Sequence, residues 1–205
     1  MKRIALVLAV LFIIATTAQP AELGFTGGLN MANQTGDWTE NKTLLTFGGG
    51  AFGSVPLAPQ ISVQAEVLYM MKGTKWDYEE DGISIEEKFK LTYLEIPVLF
   101  KYEVPMEGSI SPLFFAGPAL GILLSAKVDV AGIELDVKDF TKGTDFGVVF
   151  GGGAAVKAGD KAKVMFAARY TLGLSNLNDD PDDPDFSFKN GVISVFGGFA
   201  FGFGP

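Results

Sequence analysis

Between Ile61 and Lys72 the chain alternates with period two, and the faces this creates are unlike those of a strand lying on water. Odd positions read Ile61, Val63, Ala65, Val67, Tyr69 and Met71, and even ones Ser62, Gln64, Glu66, Leu68, Met70 and Lys72. Successive side chains of a strand point to opposite sides, so one face is apolar throughout and the other largely polar. The pattern returns at 145–157, 162–175 and 192–203. In these segments large residues such as Phe146, Phe150, Phe166, Tyr170, Phe199 and Phe201 oppose Gly147, Gly151, Gly153, Arg169, Gly198 and Ala200. Weaker alternation marks 22–32, 43–55, 87–103 and 112–127, giving eight strands in all.

Which face meets solvent decides the class. In a soluble sandwich or barrel the apolar face turns inward and a polar face is hydrated. Here that hydrated surface would be mostly glycine and alanine. The inverse arrangement fits: large apolar residues face lipid, and small and ionic residues fill the inside. An eight-stranded barrel has an interior just wide enough for side chains, which suits inward glycine. Closure leaves no unpaired strand edge in hydrocarbon, and each segment reaches the roughly 9–11 residues a tilted spanning strand needs. No segment beyond the leader is long and apolar enough for a spanning helix. The fold expected is therefore all-β, an eight-stranded antiparallel up-and-down transmembrane barrel.

The connections agree with it. Short ones at 56–59, 104–111 and 158–160 alternate with long polar ones at 33–42, 74–86, 128–141 and 176–188. Tight turns at one end and loops at the other are the layout of an outer-membrane barrel. Tyr69, Trp76 and Tyr78 at the loop end, with Phe100 and Tyr102 at the turn end, are the expected aromatic girdles.

Lys2 and Arg3 precede an apolar run from Ile4 to Ala15 and the small residues Thr16, Thr17 and Ala18, the pattern of an export signal. The expected organisation is a signal peptide at 1–18, cleaved after Ala18, and a barrel domain at 19–205 delivered to the bacterial outer membrane. Cys and His are both absent. Disulfides, Cys/His zinc sites and nucleophile systems that need imidazole are thereby excluded, and no enzyme activity or cofactor is expected. A net charge of −8 argues against a nucleic-acid partner. The partners expected are outer-membrane lipid and a surface partner met through the loops, with the barrel a monomer.

Alternation places Glu66, Glu95, Lys101 and Arg169 inside the barrel. Counted from the short turns, Glu66, Glu95 and Arg169 lie at similar depth. Because a lone charge in a narrow interior is costly, Arg169 is expected to join both carboxylates in an ionic cluster that plugs the barrel and fixes strand register. The same count gives the alternative of a proton or solute pathway. In the last long connection Asp179, Asp180, Asp182, Asp183 and Asp185 crowd between prolines. Such a segment could offer calcium oxygen ligands, but it lacks the EF-hand order, and an extended, solvated loop is expected instead. Gly48, Gly50 and Gly53 match dinucleotide-loop spacing; their setting in an alternating strand makes the match accidental.

The run Thr92-Tyr93-Leu94-Glu95-Ile96-Pro97-Val98-Leu99-Phe100-Lys101-Tyr102 resembles the PorT-like outer-membrane β-barrel family. So do Glu66-Val67-Leu68-Tyr69, Ala116-Gly117-Pro118-Ala119-Leu120-Gly121, Leu124-Ser125-Ala126-Lys127 and Arg169-Tyr170-Thr171-Leu172-Gly173-Leu174. The resemblance covers nearly all of the chain after the leader. It implies an eight-stranded outer-membrane barrel and fixes no biochemical activity. One departure is that Gly204 and Pro205 follow Phe203, where such chains commonly end on an aromatic residue. The function expected is a non-enzymatic structural or surface-interaction role carried by long acidic loops over a plugged interior. The alternative is a narrow pore or a secretion or transport accessory.

Overall fold

A computed structural model describes residues 21–38, 40–80 and 83–203. The signal-peptide assignment and the Gly204-Pro205 ending lie outside these residues. The strands are β1 (Ala21–Gly36), β2 (Leu44–Ala58), β3 (Ile61–Glu80), β4 (Ile83–Glu103), β5 (Ile110–Val130), β6 (Ile133–Asp136), β7 (Thr144–Lys157), β8 (Ala162–Gly173) and β9 (Phe188–Phe203). Every pairing is antiparallel. With β6 set aside, neighbours in sequence are neighbours in the sheet, β9 pairs with β1, and the β4–β5 contact completes a ring of eight. The ninth strand, β6, is a four-residue ribbon on the loop-end extension of β5.

The alternating faces fall as the sequence indicates. On the outside stand Phe25, Leu29, Phe47, Phe100, Phe114, Phe150, Phe166, Val195 and Phe199, all strongly exposed. Their exposure in a ring with every edge paired is intelligible only if lipid covers them. Tyr69, Phe100 and Tyr102 are outward and exposed, whereas Trp76 is buried and Tyr78, exposed near the end of β3, has the same even parity as Trp76. Trp76 therefore leaves the girdle. It shares the even, inward face of β3 with Glu66 and Lys72, and parity along the strand overrides the general preference of indole for the interface.

The interior is less purely small and ionic than expected. Leu68, Met70, Tyr93, Leu99 and Phe196 are buried inside it. Glycine on one wall makes room for a large side chain from another. A Cβ on Gly48 would strike the Met70 sulfur and come within 3.1 Å of Asn30 Nδ2, and one on Gly121 would lie 3.1 Å from the Tyr93 ring.

Two of the long connections are not loops. The segment at 74–86 continues the β3–β4 ladder, with Trp76 opposite Glu87 and Tyr78 opposite Ile85. The segment at 128–141 holds the β5–β6 ribbon and a 3₁₀ turn at Lys138–Phe140. Outward charges pair with one another on and beside these extensions. Lys75 bonds Glu86 at 2.9 Å, Lys90 bonds Asp129 and Glu134, and Lys127 bonds Glu134 at 2.6 Å. Such charge ladders replace hydrophobic pairing once the strands leave the bilayer.

Candidate functional site

Inward ionic residues occupy separate levels along the barrel. At the turn end Lys101 lies 3.5 Å from Glu22 and 3.4 Å from Glu103, and Lys163 bridges the same two carboxylates at 2.7 and 3.2 Å. This quartet lines a mouth with a cavity of about 220 Å³. One level deeper, Arg169 Nη1 donates to Glu66 Oε2 at 2.7 Å, and Gln64 Nε2 donates to Glu66 Oε1 at 2.7 Å. The guanidinium carbon lies 4.2 Å from the Phe196 ring centre, so the cation is held by a carboxylate and an aromatic face together. The space left at this level is about 40 Å³.

Above a layer of Leu68, Met70 and Phe196 comes a second buried ionic group. Lys72 Nζ lies 2.5 Å from Glu95 and 3.2 Å from Asp145, and all three side chains are at most 3% exposed. Asn190 Nδ2 also donates to Asp145 Oδ2 at 2.9 Å, and the Tyr93 ring lies 5.1 Å from the Lys72 ammonium. Two carboxylates thus share one lysine.

All four inward residues expected from alternation are buried, but they do not form one cluster. Arg169 meets Glu66, Glu95 meets Lys72, and Lys101 belongs to the turn-end quartet. Depth counted from the turns fails because the strands are staggered. The paired row that starts at Glu103 on β4 passes through Leu113, Gly153, Ala167, Phe196, Gly28, Gly48 and Met70 and returns to β4 at Tyr93. A barrel closes only with such a shear, so equal counts on different strands are not equal heights. Lys72 and Asp145 were already on the polar faces of their segments. What finds them is register: Glu95 pairs with Gly121 and Gly121 with Asp145.

At the loop end an aromatic cap closes the ring. Trp38 is its hub, with ring centres 4.6 Å from Trp76, 5.1 Å from Phe186 and 5.8 Å from Phe188. Leu177, fully buried, packs into the same group with Phe89 and Leu91. The acidic segment is consequently neither extended nor projecting. Asn178 Nδ2 donates to the Asp183 carbonyl at 2.7 Å, Asp180 Oδ1 accepts the Asp182 N–H at 2.9 Å, and the Asp179 N–H reaches the Phe140 carbonyl at 3.0 Å. Leu177 and Phe186 anchor the segment across the mouth, and that apolar anchorage outweighs the outward bias of its prolines. Asp179, Asp182, Asp183 and Asp185 remain exposed and Asp180 is half-buried. Among the described residues no three or more His, Cys, Asp or Glu converge as metal ligands. Between cap and segment lies a cup of about 360 Å³.

The sequence matches the family described as "Outer membrane protein beta-barrel domain" over residues 17–179. The chain belongs to that family. Among solved structures, Neisserial surface protein A (NspA) aligns with a TM-score of 0.56 at 15% identity, covering 88% of this chain and 97% of that one. The outer membrane protein OprG from Pseudomonas aeruginosa aligns with a TM-score of 0.53 at 13% identity, covering 91% and 98%. At such identities the likeness is one of fold. A comparison with curated proteins found no match. Family, closed ring and lipid-facing aromatic band together place the protein in the bacterial outer membrane.

Proposed function

We propose that this barrel is a non-enzymatic surface protein of the outer membrane, with a lumen filled by its own side chains and a working surface at the loop end. The observation that carries the reading is the succession of filled levels along the axis: the turn-end quartet, Arg169 with Glu66, the Leu68, Met70 and Phe196 layer, Lys72 with Glu95 and Asp145, and the Trp38 cap. The ionic groups serve as internal braces between distant strands, a use of buried charge that fixes register more than it adds stability. Residues 1–18 act as the export signal, and the barrel works as a monomer in lipid. Within the family, the Tyr93-Leu94-Glu95-Ile96-Pro97 run supports a place among its PorT-like members.

With the tight turns and both ends of the ring on the periplasmic side, Asp183 lies outside the cell. Because the chain has no cysteine, Asp183→Cys gives a single thiol. Labelling of intact cells by a membrane-impermeant maleimide is expected, and labelling only after permeabilisation would overturn the orientation and with it the surface role. The open turn-end mouth favours a second reading, a transport or secretion accessory that docks a periplasmic partner at Glu22, Lys101, Glu103 and Lys163. That reading requires the levels above the mouth to open, which conductance detects.

A further inference from the structure

We infer that the cup at the loop end binds a small organic cation with an apolar body, an inference that rests on the loop end being the working surface. The cup has the size of a small-molecule site, for which roughly 300 Å³ and upward is usual, at about 360 Å³. Its walls are the rings of Trp38, Trp76, Phe89, Phe140, Phe186 and Phe188, with Val128 and Val137 between them. Its polar lining is three carboxylates, Glu87, Asp180 and Asp183, with Thr141 and Asn178, and no lysine or arginine takes part.

That imbalance distinguishes the cup from the charge ladders beside it. In the neighbouring charge ladders the carboxylates have lysines at bonding distance: Glu86 has Lys75 and Lys88, Asp129 has Lys90, and Glu134 has Lys90 and Lys127. Aromatic faces carry negative potential at their centres and attract a cation most strongly when it is poorly hydrated. A quaternary or substituted ammonium satisfies both parts of the lining: its charge answers the carboxylates and its carbon shell fits the rings. An anion would meet three like charges, and a neutral apolar molecule would leave the acidic rim uncompensated.

The chain's two tryptophans both line the cup, so intrinsic fluorescence reports on it directly. Full-length protein folded in a neutral maltoside detergent is titrated at constant ionic strength with benzyltrimethylammonium, and in parallel with benzyl alcohol and benzoate. A saturable change is expected with the cation, at a half-saturating concentration at least about tenfold below either comparator. The combined variant Glu87→Gln, Asp180→Asn, Asp183→Asn should weaken it about tenfold while heat-modifiable migration on a gel stays normal. No saturable response to the cation, an equal response to benzyl alcohol, or undiminished binding by the folded variant would each overturn the inference. Surface labelling of Asp183→Cys is independent of this result, so labelled cells without cation binding would sink the ligand assignment and leave the surface reading standing.

Discussion

Replacing Arg169 by methionine leaves Glu66 at the centre of the barrel with Gln64 Nε2 as its remaining hydrogen-bond donor. Both partners of the pair are at most 5% exposed, so solvent cannot take over the lost interaction. Removing one member of a buried ion pair costs about 3–5 kcal/mol, since the survivor is an uncompensated charge. The lost contact with the Phe196 ring adds about 0.5–2 kcal/mol, and the Gln64 bond holds the total near the lower part of the combined range. The folding equilibrium should therefore fall by roughly a hundred-fold or more, at about 1.4 kcal/mol per tenfold. The double variant Glu66→Met, Arg169→Met removes both charges and keeps apolar volume, and it should recover all but about 1 kcal/mol, because isosteric apolar replacement of a buried pair is often neutral. Urea unfolding in lipid vesicles, followed by the gel shift between folded and unfolded barrel, measures all four corners of the cycle. If the double variant is as unstable as Arg169→Met alone, or if the single change costs under about 1 kcal/mol, the bracing role assigned to the pair is wrong.

Other expectations are more local. Lys72→Met strands Glu95 and Asp145 together and should prevent refolding at neutral pH, whereas adding Glu95→Gln and Asp145→Asn should restore it; refolding yield on a gel decides. Gly48→Leu drives a side chain into Met70, Asn30 and Phe196 and should cost about 1–3 kcal/mol or more in the same urea assay. Phe166→Arg on the lipid face should cost about 2–4 kcal/mol if that position lies near the bilayer midplane. On the extensions, hydrogen bonds from Lys88 and Lys75 hold the Glu86 carboxyl below its ordinary value, and those from Lys127 and Lys90 do the same for Glu134. A depressed folded value means the ladder contributes fully above the usual glutamate pKa of about 4.3 and is lost as pH falls through the lowered values. Hydrogen exchange of the β5–β6 ribbon should accelerate in that acidic window while the barrel amides stay protected.

Much of the barrel was legible because its rule is local. Period-two alternation named which side of Ile61–Lys72 or of 192–203 faces lipid, and glycine opposite phenylalanine told inside from outside. What escaped was whatever depends on the relation between strands. Glu95 and Arg169 share a count from the turns and differ in height, because shear is a property of the closed ring and of no single segment. The charged ladders of 74–86 and 128–136 read as loops because their alternation is of lysine and carboxylate rather than of apolar and polar residues. The acidic run at 179–185 looked extended because its anchors, Leu177 and Phe186, pack against Trp76 on β3 and Phe89 and Leu91 on β4, far away in sequence.

Single-channel recording of the purified protein in a planar bilayer tests the filled lumen most directly. Wild-type protein with verified insertion should show no stepwise conductance above the bare membrane. Stable, reproducible steps from the unaltered chain would contradict the filled interior and return the pore reading to first place.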